Sequence, residues 1–318
     1  MAGGRWRFAG GGVMAGGVMA GGVKAGPTYL FCLGATKAGT SWLWDHLASH
    51  PECHFRTIKE YNFFFLSDAA GFDAAILQGR QKIARQEAKI ATVPHEAWAG
   101  RHLADLRAWQ RLLERRQVDL DAYRAFLTEG RGARRLVGDI TPAYGLLGGK
   151  RLRVMMDLAD DVRFLYLIRD PLARLWSHVR MVAAHQVGAG DLAMAARGVL
   201  DRLLAGSTDP ETKWLAERGD YPQILTKLDR VLAGRPFRVQ VYEDMMTAAG
   251  LAKLSQFLGI SAQPGAFGRV SHQGVALALP DGYRARLLAW LRPHYEFVAA
   301  RFGALPEAWQ HSMKEGAI

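Results

Sequence analysis

A chain of 318 residues, about half of them hydrophobic, can bury one large α/β core or at most two. No apolar run reaches the roughly 18 residues of a spanning helix, so no transmembrane segment is expected. The net charge of +11 favours an anionic partner: nucleic acid, a membrane surface, or a nucleotide carrying several phosphates.

Three copies of one five-residue unit, Gly11–Ala15, Gly16–Ala20 and Gly21–Ala25, fill most of residues 1–26. Such glycine-rich low complexity reads as a flexible segment, and no function is assigned to it. Arg5 and Arg7 would suit a signal peptide, but the glycines make a poor apolar centre, so export is not expected. The remaining residues, 27–318, are read as a single domain.

The fold should begin with a β-type run, Tyr29 to Leu33, ending at Gly34. A polar loop follows, Gly34-Ala-Thr-Lys37-Ala38-Gly39-Thr40-Ser41-Trp42, and then a helix over about 40–49. Strand, glycine-containing loop and helix is the layout of a phosphate cradle, where loop N–H groups and the helix dipole converge on an anion. The loop is nearly a Walker A loop. Gly34 and Gly39 keep its spacing, but the lysine has moved forward to 37 and Thr40 stands in its usual place. A mid-loop lysine suits one phosphate and one further anion better than a triphosphate tail. The loop resembles the 5′-phosphosulfate loop of sulfotransferases that use PAPS (3′-phosphoadenosine 5′-phosphosulfate). That resemblance implies that Lys37, Ala38, Gly39, Thr40, Ser41 and Trp42 hold the 5′ end of the donor.

Two cysteines, Cys32 inside the first strand and Cys53, are too few for a disulfide framework. They point to a reducing cytoplasm with no Cys32–Cys53 bridge. After a stop at His50-Pro51, Cys53 to Arg56 is a short second strand. Lys59-Glu60-Tyr61-Asn62-Phe63-Phe64-Phe65 follows, its phenylalanines read as core. K-E-x-x-F-F resembles the carbohydrate-type branch of the same family. The resemblance implies that Glu60 deprotonates the acceptor hydroxyl and that Lys59 assists or tunes it.

Residues 72–130 read as helices, with Ile76, Ile83, Trp98, Leu103, Leu106, Trp109, Leu112 and Leu113 at helical spacing. Their polar faces carry Arg101, Arg107, Arg111, Arg115 and Arg116. These are read first as a solvated face, with a peripheral membrane contact or an acidic acceptor left open. Arg135 to Ile140 is the third strand, turned at Pro142. It resembles the family's G-E-x-[ST]-P-x-Y with Asp139 for glutamate. Asp139 is a second candidate base, an orienter, or a holder of the turn through side-chain bonds to backbone.

Val162 to Ile168 is a continuous apolar run, as for a strand buried on both faces. It leads into Arg169-Asp170-Pro171-Leu-Ala-Arg174-Leu-Trp-Ser177-His178, with Pro171 suited to a first helical turn. R-D-P-x-x-R-x-x-S matches the family's 3′-phosphate motif and implies Arg169 and Ser177 as ligands of that phosphate. Arg174 is expected to pair with a carboxylate, and His178 to be a helix residue rather than a base. Residues 189–234 read as helical, with Tyr221 either shaping the acceptor pocket or packing. Arg235 to Tyr242 is a fifth strand closed by Glu243-Asp244, read as a structural carboxylate pair. A helix near 246–258, a basic loop with Arg269 and His272 laid over the nucleotide, and an amphipathic helix over about 281–302 complete the chain.

The resemblance covers about residues 28–302 and implies a P-loop-type three-layer α/β fold. A central parallel sheet of about five strands would carry helices on both faces. The implied function is transfer of a sulfuryl group from PAPS, without a metal, to a hydroxyl on a sugar, lipid headgroup or small metabolite. Amine sulfation and oligomeric state stay open, and no nucleic-acid partner is expected. An ATP-dependent small-molecule kinase is the first rival, disfavoured by the lysine placement and the lack of a Walker B carboxylate. A basic module binding nucleic acid or anionic lipid is the second; it explains the charge but not the spaced motifs.

Overall fold

The computed structural model describes residues 26–92, 97–188, 190–268 and 276–314. The glycine-rich repeats and the loop carrying Arg269 and His272 lie outside the described residues. Five strands build one parallel sheet: β1 (Thr28–Cys32), β2 (Cys53–His54), β3 (Leu136–Ile140), β4 (Val162–Ile168) and β5 (Phe237–Val241), in the order β2-β3-β1-β4-β5. β1 pairs with β3 through Thr28↔Leu136 to Cys32↔Ile140, and with β4 through Tyr29↔Val162 to Cys32↔Leu165. The three central strands are almost wholly buried, which is why they read as unbroken apolar runs rather than alternating ones. Cys32 and Cys53 are free and buried, with no bridge between them.

Thirteen helices are described. α1 (Thr40–Ser49) joins β1 to β2. Between β2 and β3 lie α2 (Ala69–Thr92), α3 (Ala97–Leu113) and α4 (Leu120–Thr128); α5 (Gly149–Met156) leads to β4. α6 (Pro171–Val187), α7 (Leu192–Leu204), α8 (Pro210–Glu217) and α9 (Tyr221–Val231) separate β4 from β5. α10 (Tyr242–Met245), α11 (Ala248–Leu258), α12 (Tyr283–Phe302) and α13 (Glu307–Lys314) follow β5. α13 lies beyond the last helix expected from the sequence, and its Trp309 is fully buried.

Some expected core positions are not core. Trp98 is 43% exposed and lies flat against His102, ring centroids 4.8 Å apart, at the start of α3. Phe63 and Phe64 are fully buried but Phe65 is 41% exposed, because a 3-10 turn over Phe63–Phe65 rotates the third ring outward. The arginine face is solvated and paired within itself: Arg107 with Glu87 at 2.7 Å, Arg115 with Asp119 at 2.7 Å, Arg116 with Asp73 at 2.6 Å. Exposed pairs of this kind contribute at most about 1 kcal/mol each, so they keep the face soluble more than they hold the fold.

Asp139 is fully buried at the carboxyl end of β3. It holds its surroundings through side chains, not through backbone. Its carboxylate accepts hydrogen bonds from Thr141 at 2.6 Å, Tyr144 at 2.7 Å and Tyr123 of α4 at 2.7 Å. Burial pushes its pKa up to about 6 even though the three hydroxyl bonds pull it down; the charge of Glu60 adds to the rise. Such a group binds its proton more tightly folded than unfolded. Stability from this residue is therefore present below the unfolded pKa and is lost as pH rises from about 4 to about 6, by roughly 3 kcal/mol. Denaturant unfolding of wild type and Asp139→Asn at pH 4, 5, 6 and 7 reads this directly. The wild type should lose ground to the variant across that window, and a pH-independent difference would show that Asp139 does not titrate there.

Candidate active site

The ladder between β1 and β4 does not stop where the strands end. Leu33 N–H reaches the Leu165 carbonyl at 2.8 Å, Leu167 N–H the Gly34 carbonyl at 2.7 Å, and Ala35 N–H the Leu167 carbonyl at 2.7 Å. These bonds carry the first loop alongside the end of β4, so Lys37 and Arg169 share the carboxyl edge of the sheet. That edge, where successive connections leave in opposite directions from β1, is where open α/β sheets bind ligands.

The loop has little freedom. Lys37 adopts φ 68 and Gly39 φ 88, both left-handed. A Cβ on Gly39 would meet the Tyr242 ring at 2.3 Å, so glycine is required there on two counts. Gly39 also caps α1 without a side-chain bond, so no cap side chain takes up the first-turn N–H groups at the positive helix end. Ala38 and Thr40 are buried, whereas Ser41 is partly exposed. Trp42 is 6% exposed and donates its indole N–H to the Ala266 carbonyl at 3.2 Å. Its ring stacks on His46 and Phe267. It therefore ties the loop after α11 to α1.

Lys59 and Glu60 reach the same place from the segment after β2. Arg56 pairs with Asp105 of α3 at 3.1 Å and with Glu129 at 2.9 Å, and Thr57 gives its N–H and its hydroxyl to Asp105, each at 2.7 Å. With its start anchored, the segment kinks at Glu60, φ 62, and Asn62, φ 56. Lys59 Nζ then donates to Ser41 Oγ at 3.1 Å and pairs with Glu60 Oε1 at 2.8 Å. Glu60 remains 44% exposed. The structure thus brings Lys37, Ser41, Lys59, Glu60 and Arg169 together.

The turn after β4 is braced from behind. Tyr221 is fully buried; its hydroxyl donates to the Arg169 carbonyl at 2.8 Å and accepts the Arg169 N–H at 3.0 Å. Tyr221 is thus the holder of Arg169. Asp170 caps α6 by accepting from Ala173 N–H at 2.8 Å and accepts from the Tyr295 hydroxyl at 3.1 Å. Glu243 accepts from Asp170 N–H at 3.2 Å and from Trp309 Nε1 at 2.9 Å, while Asp244 is exposed, so the expected structural pair is one residue. Arg169 lies over the Tyr242 ring at 5.1 Å and reaches the Lys37 carbonyl at 3.4 Å. Ser177 is partly exposed on α6, one turn beyond Arg174.

Arg174 corrects its expectation. It is 2% exposed and makes no ion pair among the described residues; one guanidinium N–H points to the Thr36 carbonyl at 3.4 Å. Gly219 makes room for it, since a Cβ there would lie 1.9 Å from the guanidinium. His178 is fully buried beside Trp214, ring centroids 4.7 Å apart. Burial, reinforced by Arg174, Arg218 and Lys37, pushes its pKa down to about 2. Neither His178 nor the enclosed Asp139 is open to an incoming hydroxyl, which leaves Glu60 as the exposed carboxylate.

The resulting electrostatics are one-sided. Burial lowers the pKa of Lys37, and Arg180, Arg169 and Lys59 lower it further, against only Glu60. Like charges crowded around a helix start are the features that an anion site of the nucleotide-loop class requires. A family profile described as "Sulfotransferase family" matches residues 27–264. A search of curated proteins returned no match. Among solved structures, the chain is similar to a sulfotransferase from Alicyclobacillus acidocaldarius. The TM-score is 0.57 with 19% identity over 90% of this chain and all of that one. It is also similar to the sulfotransferase domain from the curacin biosynthetic pathway. There the TM-score is 0.50 with 17% identity over 88% of this chain and 99% of that one. The chain belongs to the sulfotransferase family.

Gly39→Ala should destabilise the protein by at least about 1 kcal/mol from its backbone angle alone, with the Tyr242 overlap added. Urea unfolding of Gly39→Ala, and of Gly39→Ala combined with Tyr242→Ala against Tyr242→Ala, separates the two contributions. A Gly39→Ala variant as stable as wild type would refute both.

Proposed function

We propose that the protein moves a sulfuryl group from PAPS to an acceptor hydroxyl on a sugar, lipid headgroup or small metabolite, releasing PAP. The observation that carries this reading is the crowd of cations, with Glu60 the one carboxylate among them, spread over two anchoring points. Lys37, Lys59 and the start of α1 surround the first; Arg169 and Ser177, on the turn after β4 and on α6, form the second. A donor with a phosphosulfate at one end and a separate 3′-phosphate needs two such points. An ATP-type tail would load only the first.

In this mechanism the acceptor oxygen approaches sulfur opposite the bridging oxygen. The new S–O bond forms as the bond to the 5′-phosphate breaks, and PAP departs with that electron pair. The acceptor's proton passes to Glu60, which is exposed and aimed at the loop by its pair with Lys59. Lys37 neutralises charge growing on the bridging oxygen, and loop N–H groups hold the sulfonate. Arg169, clamped by Tyr221, grips the 3′-phosphate.

Thermal unfolding with PAP, adenosine 5′-phosphate and ATP–Mg²⁺ tests the donor. PAP should raise the melting temperature well above the other two, since a ligand of the folded state stabilises by mass action. Arg169→Ala should erase the advantage of PAP over adenosine 5′-phosphate; equal losses for both would remove Arg169 from the 3′-phosphate. A shift with ATP–Mg²⁺ and none with PAP would favour a kinase. Glu60→Gln should lose about a hundredfold or more in turnover while binding PAP as wild type does. Near-normal turnover would take the base role from Glu60.

A further inference from the structure

We infer that Arg218 is a catalytic residue that holds the oxygens of the transferring sulfonate, opposite Lys37. The inference rests on the PAPS reading above. Arg218 follows α8, just before the Gly219-Asp220-Tyr221 turn that braces Arg169, and it is partly exposed. Its guanidinium lies on the Trp214 ring with 4.0 Å to the centroid. Stacking covers one face and leaves the N–H edge as its means of bonding.

That edge is poorly used. Nη1 reaches Thr36 Oγ1 only at 3.4 Å, Nε is buried with no partner, and no ion pair to Arg218 occurs among the described residues. Two other enclosed arginines of this protein do have carboxylates, Arg56 with Asp105 and Glu129 and Arg163 with Asp161, whereas Arg174 is sealed away against the Thr36 carbonyl. A buried guanidinium N–H without an acceptor points to a partner that arrives with a ligand. A planar fork stacked on an aromatic ring, with its donors open, suits an oxyanion.

The position selects which oxyanion. Thr36 immediately precedes Lys37, and Glu60 is the carboxylate whose charge acts on Arg218. Arg218 therefore lies between the loop that grips the donor and the base that serves the acceptor, where sulfur crosses from one oxygen to the other. The three oxygens that stay on sulfur carry charge throughout. Arg218 donates hydrogen bonds to them while the bond to PAP breaks and the bond to the acceptor forms, and no proton leaves it. Fixed donors aimed at these oxygens act without reorganisation during transfer.

PAPS and PAP differ only in the sulfuryl group, so their affinities isolate this contact without an acceptor. Titration calorimetry of wild type, Arg218→Ala and Arg218→Lys with each nucleotide is the test. Arg218→Ala should bind PAP within about twofold of wild type, which also reports an intact fold. It should bind PAPS roughly tenfold or more weakly, the size of one lost charge-assisted bond, and Arg218→Lys should recover part of the loss. Unchanged PAPS affinity overturns the inference, and so does an equal loss for both nucleotides. Unchanged PAPS affinity with turnover lost would move Arg218 to the acceptor. A wild type that binds neither PAP nor PAPS would overturn the donor reading itself, a result distinct from all of these.

Discussion

Two hydrogen bonds beyond the ends of the strands organise this molecule: Leu167 N–H to the Gly34 carbonyl and Ala35 N–H to the Leu167 carbonyl. They extend the β1–β4 ladder into the loop, so two segments about 130 residues apart in the chain meet as neighbours on one sheet edge. Parallel strands make this meeting directional. Both run the same way, so both end at the same edge, and the turn after each opens onto the same space.

That edge gathers positive charge which the fold has to tolerate. Lys37, Lys59, Arg169, Arg174 and Arg218 raise no matching cluster of carboxylates; Glu60 is the exception at the loop. Repulsion of this kind is held in check by neutral and distant braces. Tyr221 clamps the Arg169 backbone, Glu243 and Tyr295 fix Asp170 at the cap of α6, and Trp309 of α13 holds Glu243. The segment with Lys59 and Glu60 is tied to α3 through Asp105. The energy that assembles this edge thus comes from buried contacts behind it, not from pairing of the charges with one another.

The chain order of strands, the loop, the start of α1 at Thr40 and the start of α6 at Pro171 were legible because each rests on local physics. Apolar runs mark buried strands, glycine permits the φ of 88 at position 39, and proline suits a first helical turn. Misreadings arose where a side chain's neighbours come from elsewhere. Phe65 shares its spelling with two core phenylalanines but is turned outward, and Trp98 keeps helical spacing yet faces solvent. Arg174 looked like half of an ion pair, but the space above Gly219 and the Thr36 carbonyl receive it. Arg218 has no local pattern at all. Only its stacking on Trp214 and its reach to Thr36 set it apart from the arginines of the outer faces.

By itself the sequence determined which residues are able to grip an anion and the conformations their turns must take, because steric limits on φ, helix starts and hydrophobic runs act over a few residues. Tertiary structure alone decided which arginines are enclosed without a carboxylate, which carboxylate beside the loop is exposed, and which is sealed beneath three hydroxyls. Those outcomes depend on burial and on partners from distant elements. Desolvation and Coulomb interaction follow distance in space, and distance in space is set by the packed sheet and helices, not by position along the chain.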